Sequence, residues 1–157
     1  MASLNGLRAM LEGRPREPDA FDPATALARW KRWVEALYGD IEQWLSWLPE
    51  KGGSIERVPL TRDEESLGAY DIEGLLVTID GREFFFDPRG KHVIGANGRV
   101  DLYEIGRVEN SATLLYFTNN EDQPGTWAIQ LRTDPRHRAP LSEETLDQLL
   151  GRMMSVQ

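Results

Sequence analysis

Residues 22–48 read DPATALARWKRWVEALYGDIEQWLSWL and carry the clearest periodicity in the chain. The apolar side chains recur at alternating three- and four-residue intervals, the spacing of one side of an α-helix. They are Leu27, Trp30, Val34, Leu37, Ile41, Trp44 and Leu48. Asp22 suits the N-cap and Pro23 the first helical position, whereas Pro49 disfavours helical geometry at Leu48. The pattern predicts one amphipathic helix from Asp22 to Leu48, continuous through Gly39 because the apolar phase does not slip there.

The composition limits the kind of protein that this chain can be. A length of 157 residues suits one domain with a core of its own. The absence of cysteine excludes disulfides and thiolate metal sites, and it fits a reducing cytoplasm. A formal charge of −8 argues against nucleic acid as a partner. No apolar run is long enough to span a membrane, and the N-terminus lacks the core of a signal peptide. We therefore expect a soluble, cytoplasmic protein without a membrane partner.

The first 21 residues form a unit distinct from the rest of the chain. Leu4, Leu7, Met10 and Leu11 have helical spacing, so they predict a short helix that ends near Gly13. Two prolines in the following residues then favour an extended linker. The sequence thus divides into residues 1–21, a short helix and linker, and residues 22–157, a single α+β domain.

A β-hairpin is predicted where the alternating residues Leu75–Ile79 and Arg82–Phe86 flank Asp80-Gly81. Asp-Gly accepts the positive φ angles of a two-residue type I′ turn, and this loop length fixes the register. Three pairs should face the core: Ile79 with Arg82, Val77 with Phe84, and Leu75 with Phe86. Two pairs should face away from it: Leu76 with Phe85, and Thr78 with Glu83.

Further short strands separated by turn residues predict an antiparallel meander around this hairpin. Asp87-Pro88-Arg89-Gly90 and Gly95-Ala96-Asn97-Gly98 are interpreted as turns, and Ser142 as the N-cap of a final helix. The strands are predicted at 55–60, 75–79, 82–86, 99–105, 112–118 and 126–132, and the turn at Asp87-Pro88-Arg89-Gly90 leads to Val93-Ile94. The predicted fold class is α+β, with an antiparallel sheet of about six strands packed against a long N-terminal amphipathic helix, and with a C-terminal helix.

Acidic residues are dense between Asp71 and Asp101, and such a cluster could hold a divalent cation for a hydrolase or nuclease. The candidates are Asp71, Glu83, Asp87, Lys91, His92 and Asp101. A simpler interpretation makes Asp80 and Asp87 turn residues, Glu83 a residue on the solvent face of a strand, and Glu104 a surface residue. No phosphate-binding loop or nucleophile motif is present. We therefore assign no catalytic residue, no metal ligand and no cofactor.

Two features suggest a surface for another protein. Trp33 lies at the edge of the apolar stripe of the first helix and Trp47 lies outside it, so each needs cover from this chain or from a partner. Arg136, His137 and Arg138 form the most basic short segment of an acidic chain. They are interpreted as a solvated loop before the last helix, with docking of an acidic partner or a phosphate as the alternative.

These observations favour a small protein-interaction or regulatory subunit without catalytic activity. Its proposed partner-binding residues are Trp33, Trp47, Arg136, His137 and Arg138. The partner is another protein whose identity the sequence does not give, and a homo-oligomer is compatible with the composition. The alternative is the metal-dependent hydrolase or nuclease that uses the acids between Asp71 and Asp101. Convergence of those acids in one cleft would favour the enzyme.

Overall fold

The computed structural model describes residues 22–90 and 95–157 and has two helices and seven strands in that part of the chain. The helices are α1 (Pro23–Trp44) and α2 (Glu143–Met154), and a short 3-10 helix spans Leu48–Lys51. The strands are β1 (Ser54–Glu64), β2 (Gly68–Ile79), β3 (Arg82–Gly90), β4 (Gly98–Glu104), β5 (Arg107–Phe117), β6 (Thr126–Leu131) and β7 (Asp134–Pro140). The short helix expected in residues 1–21 and the segment Val93-Ile94 lie outside the described residues.

The first helix has the predicted start but ends earlier than predicted. The side chain of Asp22 accepts a hydrogen bond from the Ala24 amide at 3.1 Å, and the helix passes through Gly39 without a break. It ends at Trp44 rather than Leu48, because the backbone of Leu45 leaves helical geometry. Leu45 and Leu48 nevertheless both reach the core. The apolar pattern therefore continues beyond the end of the helix, because the turn that follows also packs against the core.

The hairpin of β2 and β3 confirms the predicted register. Leu75 pairs with Phe86, Val77 with Phe84 and Ile79 with Arg82. Asp80 and Gly81 have φ angles of 50° and 76°, the left-handed geometry of a type I′ turn. The side chains of Leu75, Val77, Phe84 and Phe86 are fully buried. This face of the hairpin is the core face, as the alternation predicts.

All seven strands are antiparallel neighbours in chain order, from β1 to β7. Two segments, one predicted to be a turn and the other a loop, belong to this sheet. Asp87-Pro88-Arg89-Gly90 is the end of β3, where a bulge between Pro88 and Gly90 shifts its pairing with β4. Asp134–Arg138 lies in β7, whose prolines are tolerated because an edge strand does not need every N–H for pairing. The additional strand raises the expected number from about six to seven.

One hydrophobic core joins the sheet to both helices, so α1 and α2 lie on the same face. Ser142 and Thr145 form a reciprocal capping box at the start of α2. The buried residues of α2 are those of the predicted stripe: Leu146, Leu149, Leu150 and Met153. The fold is α+β, with an antiparallel sheet and two helices.

Candidate functional site

The acids between Asp71 and Asp101 do not gather at one point. Asp71 accepts a hydrogen bond from the Thr61 hydroxyl at 3.1 Å, and Glu83 is exposed on its strand. Lys91 and His92 lie outside the described residues. Within residues 22–90 and 95–157, no three histidine or acidic side chains are close enough to share a metal ion. The arrangement that the enzyme hypothesis requires is not found in this part of the chain.

Asp87 is buried in β3, so its interpretation as a turn residue is wrong. Its carboxylate pairs with Arg62 of β1, accepts a hydrogen bond from the Tyr103 hydroxyl at 3.1 Å, and lies 3.4 Å from Arg89. Burial, followed by the charge of Asp87, raises the pKa of Tyr103. Asp101 is bound in turn by Arg99 at 2.7 Å. These contacts neutralise both carboxylates and hold three strands together.

Glu104 is also buried, rather than on the surface as the sequence suggested. Arg82 donates hydrogen bonds to both of its oxygens, at 2.7 and 2.9 Å, and Asn110 donates a third at 3.0 Å. These donors lower the pKa of Glu104 to about 2. Arg82 and Asn110 also bind the carbonyl oxygens of Met153 and Met154 at the end of α2. Glu104 therefore holds the groups that cap this helix.

The two tryptophans predicted to meet a partner have different surroundings. Trp33 is 5% exposed and stacks on Tyr116, with 4.4 Å between the ring centroids. It is therefore covered by β5 of its own chain. Trp47 follows α1 in the turn before the 3-10 helix and is 47% exposed. Of the two, only Trp47 presents a large part of its ring to the surface.

An open hollow of about 480 Å³ lies between Trp47 and the start of α2. Three exposed carboxylates line it beside the indole: Glu143, Glu144 and Asp147. In the described chain none of the three forms an ion pair, and no basic residue lines the hollow. We call Trp47, Glu143, Glu144 and Asp147 the Trp47 patch.

Two local features build the Trp47 patch. The early end of α1 turns the chain so that Leu45 and Leu48 enter the core while Trp47 points outward. The capping box fixes the start of α2 and so places Glu143 and Glu144 in its first turn. Sequence reasoning identified Trp47 but missed the acids. In the sequence these acids are recognisable only as exposed positions of a helix. Most helices have such positions, so the pattern does not show that Trp47 lies beside them.

The basic segment lies elsewhere, on the edge strand β7. His137 Nδ1 is 2.7 Å from an Asp134 oxygen, and this hydrogen bond raises the pKa of His137. The guanidinium of Arg138 lies 5.1 Å from the centre of the Phe117 ring and donates to Gln130 at 3.1 Å. These neighbours orient Arg138 on the sheet, and the segment is a strand rather than a solvated loop.

A groove of about 390 Å³ runs between β7 and α2. Its floor includes Ile129, Leu131 and Leu149, and its rim carries His137 and Arg152. Arg138 also borders it, but the guanidinium of Arg138 lies beside Phe117 and Gln130, on the face of the sheet away from α2. We call it the β7–α2 groove. Arg136 is exposed on the same strand but does not line it. At 100° per residue, the α2 positions that border this groove and those of the Trp47 patch lie on different sides of the helix. The structure therefore separates Trp47 from the basic segment of β7 and buries Trp33.

Comparisons with protein-family models, curated proteins and solved structures found no match for the chain. Within the described residues, neither helix combines the length and the apolar composition that crossing a membrane requires.

Proposed function

We propose that this chain is a small cytoplasmic protein-interaction module that acts as a regulatory subunit without catalysis of its own. We propose further that it binds a lysine- or arginine-rich segment of another protein at the Trp47 patch. One observation carries the proposal: a half-exposed tryptophan faces three carboxylates that have no basic partner in the described chain. Tryptophan is highly buried on average, and it is enriched at binding hot spots.

The chemistry of the Trp47 patch is that of a cation site. The face of an indole attracts ammonium and guanidinium groups, and tryptophan is the strongest of the aromatic residues in this respect. Carboxylates beside the ring add attraction for the same cations and orient the approaching chain. A basic side chain can lay its methylene groups on Trp47 while its charged end reaches Asp147. A neutral or acidic partner would leave the acids uncompensated.

The three acids do not contribute equally. Glu143 and Glu144 lie in the first turn of α2, where the helix dipole already favours a negative charge. Asp147 lies beyond that turn and lacks this stabilisation. Reversing the charge of Asp147 should therefore disturb the partner more than it disturbs the helix, and lysine is also the better helix former.

The alternative hypothesis, a metal-dependent hydrolase or nuclease, has weaker support. It depends on convergence of the acids between Asp71 and Asp101, and the described members are occupied by Arg62, Arg89 and Arg99 or spread along separate strands. A cation at Asp87 and Asp101 would have to displace these guanidinium groups. The interaction hypothesis requires no such rearrangement.

Selection from a library of random linear peptides tests the proposed function. The wild-type protein should enrich lysine- and arginine-rich peptides, and synthetic copies should bind in a fluorescence anisotropy titration. Asp147→Lys should weaken that binding about tenfold or more, a loss of about 1.4 kcal/mol. Glu109→Lys is the matched control: Glu109 is exposed on β5, outside the patch, and undergoes the same change of charge.

The outcome depends on the contrast between the two variants. Loss with Asp147→Lys and retention with Glu109→Lys would support the site. Equal loss in both would mean that the peptides respond only to the net charge of the chain. Enrichment without any basic preference would contradict the proposal directly.

A further inference from the structure

The β7–α2 groove is independent of the Trp47 patch and has the opposite electrostatic character. Two basic side chains, His137 and Arg152, lie on its rim, and none of its lining residues is acidic. His137 is paired with Asp134 at 2.7 Å. The chain as a whole has 26 aspartates and glutamates against 18 lysines and arginines, so a groove lined by bases and by no acid is unusual for this protein. Arg152 forms no ion pair within the described residues. Its charge is available to an external carboxylate.

The floor of the groove supplies the second element of recognition. Ile129 and Leu149 are each 5% exposed, so both are anchored in the core beneath the groove. Leu131 and Ala139 extend this apolar base towards β7. An apolar side chain of a ligand placed here would lose water contact on several sides. The groove thus combines an apolar anchor point with a cationic rim.

The edge of β7 cannot accept a long additional strand. Pro135 and Pro140 have no N–H, and the carbonyl oxygen of Pro140 already accepts a hydrogen bond from Thr145 at 2.8 Å. The Leu141 amide is bonded to Trp127 of β6 at 2.9 Å. Little of the edge is therefore left for continuation of the sheet, and recognition of a ligand relies mainly on its side chains.

The open side of the groove favours a protein segment over a small molecule. His137, Arg138, Ala139 and Arg152 are all exposed, so a small ligand would remain partly in water. Small-molecule sites usually enclose most of the ligand surface. A protein segment brings neighbouring residues that cover the open side, and its acidic side chains can reach the rim while an apolar residue fills the floor.

We propose that the β7–α2 groove binds an acidic segment of a partner protein, with one apolar side chain of that segment seated on Ile129, Leu131 and Leu149. A carboxylate beside this anchor pairs with Arg152. The site is separate from the Trp47 patch, so the two surfaces give the chain the means to hold two segments of opposite charge.

Two substitutions test the two elements of the site, with random linear peptides selected on the wild-type protein as the probe. Arg152→Glu reverses one charge on the rim. Ala139→Trp fills the groove from an exposed position and removes no core contact. Each should weaken binding of the selected acidic peptides about tenfold or more in anisotropy titrations. Lys31→Glu, on the exposed surface of α1, is the control with the same change of charge as Arg152→Glu.

Each outcome decides the proposal. The proposal is supported if acidic peptides that contain an apolar residue bind both the wild-type protein and Lys31→Glu. The same peptides should bind Arg152→Glu and Ala139→Trp more weakly. Absence of acidic peptides among those enriched overturns it, and so does binding that Ala139→Trp leaves unchanged. If thermal melting shows that Ala139→Trp is not folded, Gln148→Trp fills the groove from the α2 side and replaces it. Asp147→Lys should leave this binding intact, which separates failure here from failure at the Trp47 patch.

Discussion

Trp30 and Trp47 provide a comparison of one substitution in two environments. Trp30 is 0% exposed and Trp47 is 47% exposed. Replacing a fully buried tryptophan with alanine costs about 3–5 kcal/mol, because a cavity remains after the apolar contacts are lost. A fully buried tryptophan removes roughly 250 Å² from water, and Trp47 buries about half of that area. At ~25 cal/mol per Å², this burial contributes about 3 kcal/mol to the free energy of unfolding. The unfolded chain already buries part of this area, and an alanine side chain still buries some of it. The expected cost of Trp47→Ala is therefore about 1–2 kcal/mol.

Thermal melting and urea denaturation measure this difference, and peptide titration measures its consequence. At about 2–4 °C per kcal/mol for a chain of this size, Trp30→Ala should lower the Tm by roughly 6–20 °C and Trp47→Ala by roughly 2–8 °C. Trp47→Ala should also weaken the binding of basic peptides by ~2 kcal/mol or more, the loss expected for a hot-spot aromatic residue. A fall in Tm as large as that of Trp30→Ala would refute the placement of Trp47 at the surface. A small fall with unchanged peptide affinity would refute its role in binding.

Three other variants check the groups that fix the fold. The lowered pKa of Glu104 means that its contribution is complete above its ordinary value of 4.5 and is lost as the pH falls towards about 2. Glu104→Gln should therefore lower the Tm at neutral pH and flatten its acid dependence over that range. Gly81→Val should destabilise the hairpin by about 1–3 kcal/mol in urea denaturation, because its φ is +76°. Gly39→Ala should instead stabilise the protein by about 0.5–1 kcal/mol, since its new methyl group meets no atom within 4 Å in a continuous helix.

The sequence predicts those parts of the fold that local rules determine. The Asp80-Gly81 turn fixes the register of β2 and β3, and the capping residues Asp22 and Ser142 fix the start of each helix. In these cases the residues that make the contact are within a few positions of one another. No knowledge of distant segments is required to interpret them correctly.

The incorrect predictions have a different physical origin, because they concern residues whose contacts are distant in the sequence. Asp87 resembles a turn residue until Arg62 of β1 is known to lie beside it. The burial pattern of β2 changes phase at Gly74 and Leu75, which are both buried. A Cβ on Gly74 would lie 2.3 Å from the Phe85 ring, so the space of the missing side chain is filled from β3. The alternation of apolar and polar residues along β2 cannot show that a ring from β3 occupies the space beside Gly74.

β7 illustrates a conflict between local preference and tertiary structure. Its two prolines and three bases favour an exposed loop, and single-sequence reasoning follows that preference. The pairing of Ala139 with Ile129 nevertheless extends the sheet and places the bases along its edge. The basic segment that contributes His137 to the rim of the β7–α2 groove was thus visible in the sequence. The apolar floor was not, because α2 and β6 supply it.

The net charge of −8 acts in opposite directions at the two proposed surfaces. At the Trp47 patch, the field of the whole chain and the local acids both attract a basic segment, so added salt should slow association and weaken binding together. At the β7–α2 groove, the local bases attract an acidic segment while the rest of the chain repels it. Salt screens both effects, and the long-range repulsion is lost first because exposed charges interact weakly beyond about 10 Å at 0.1 M salt. The association rate of an acidic peptide should therefore change much less with salt than that of a basic one, and an equal decline for both would mean that they share one site.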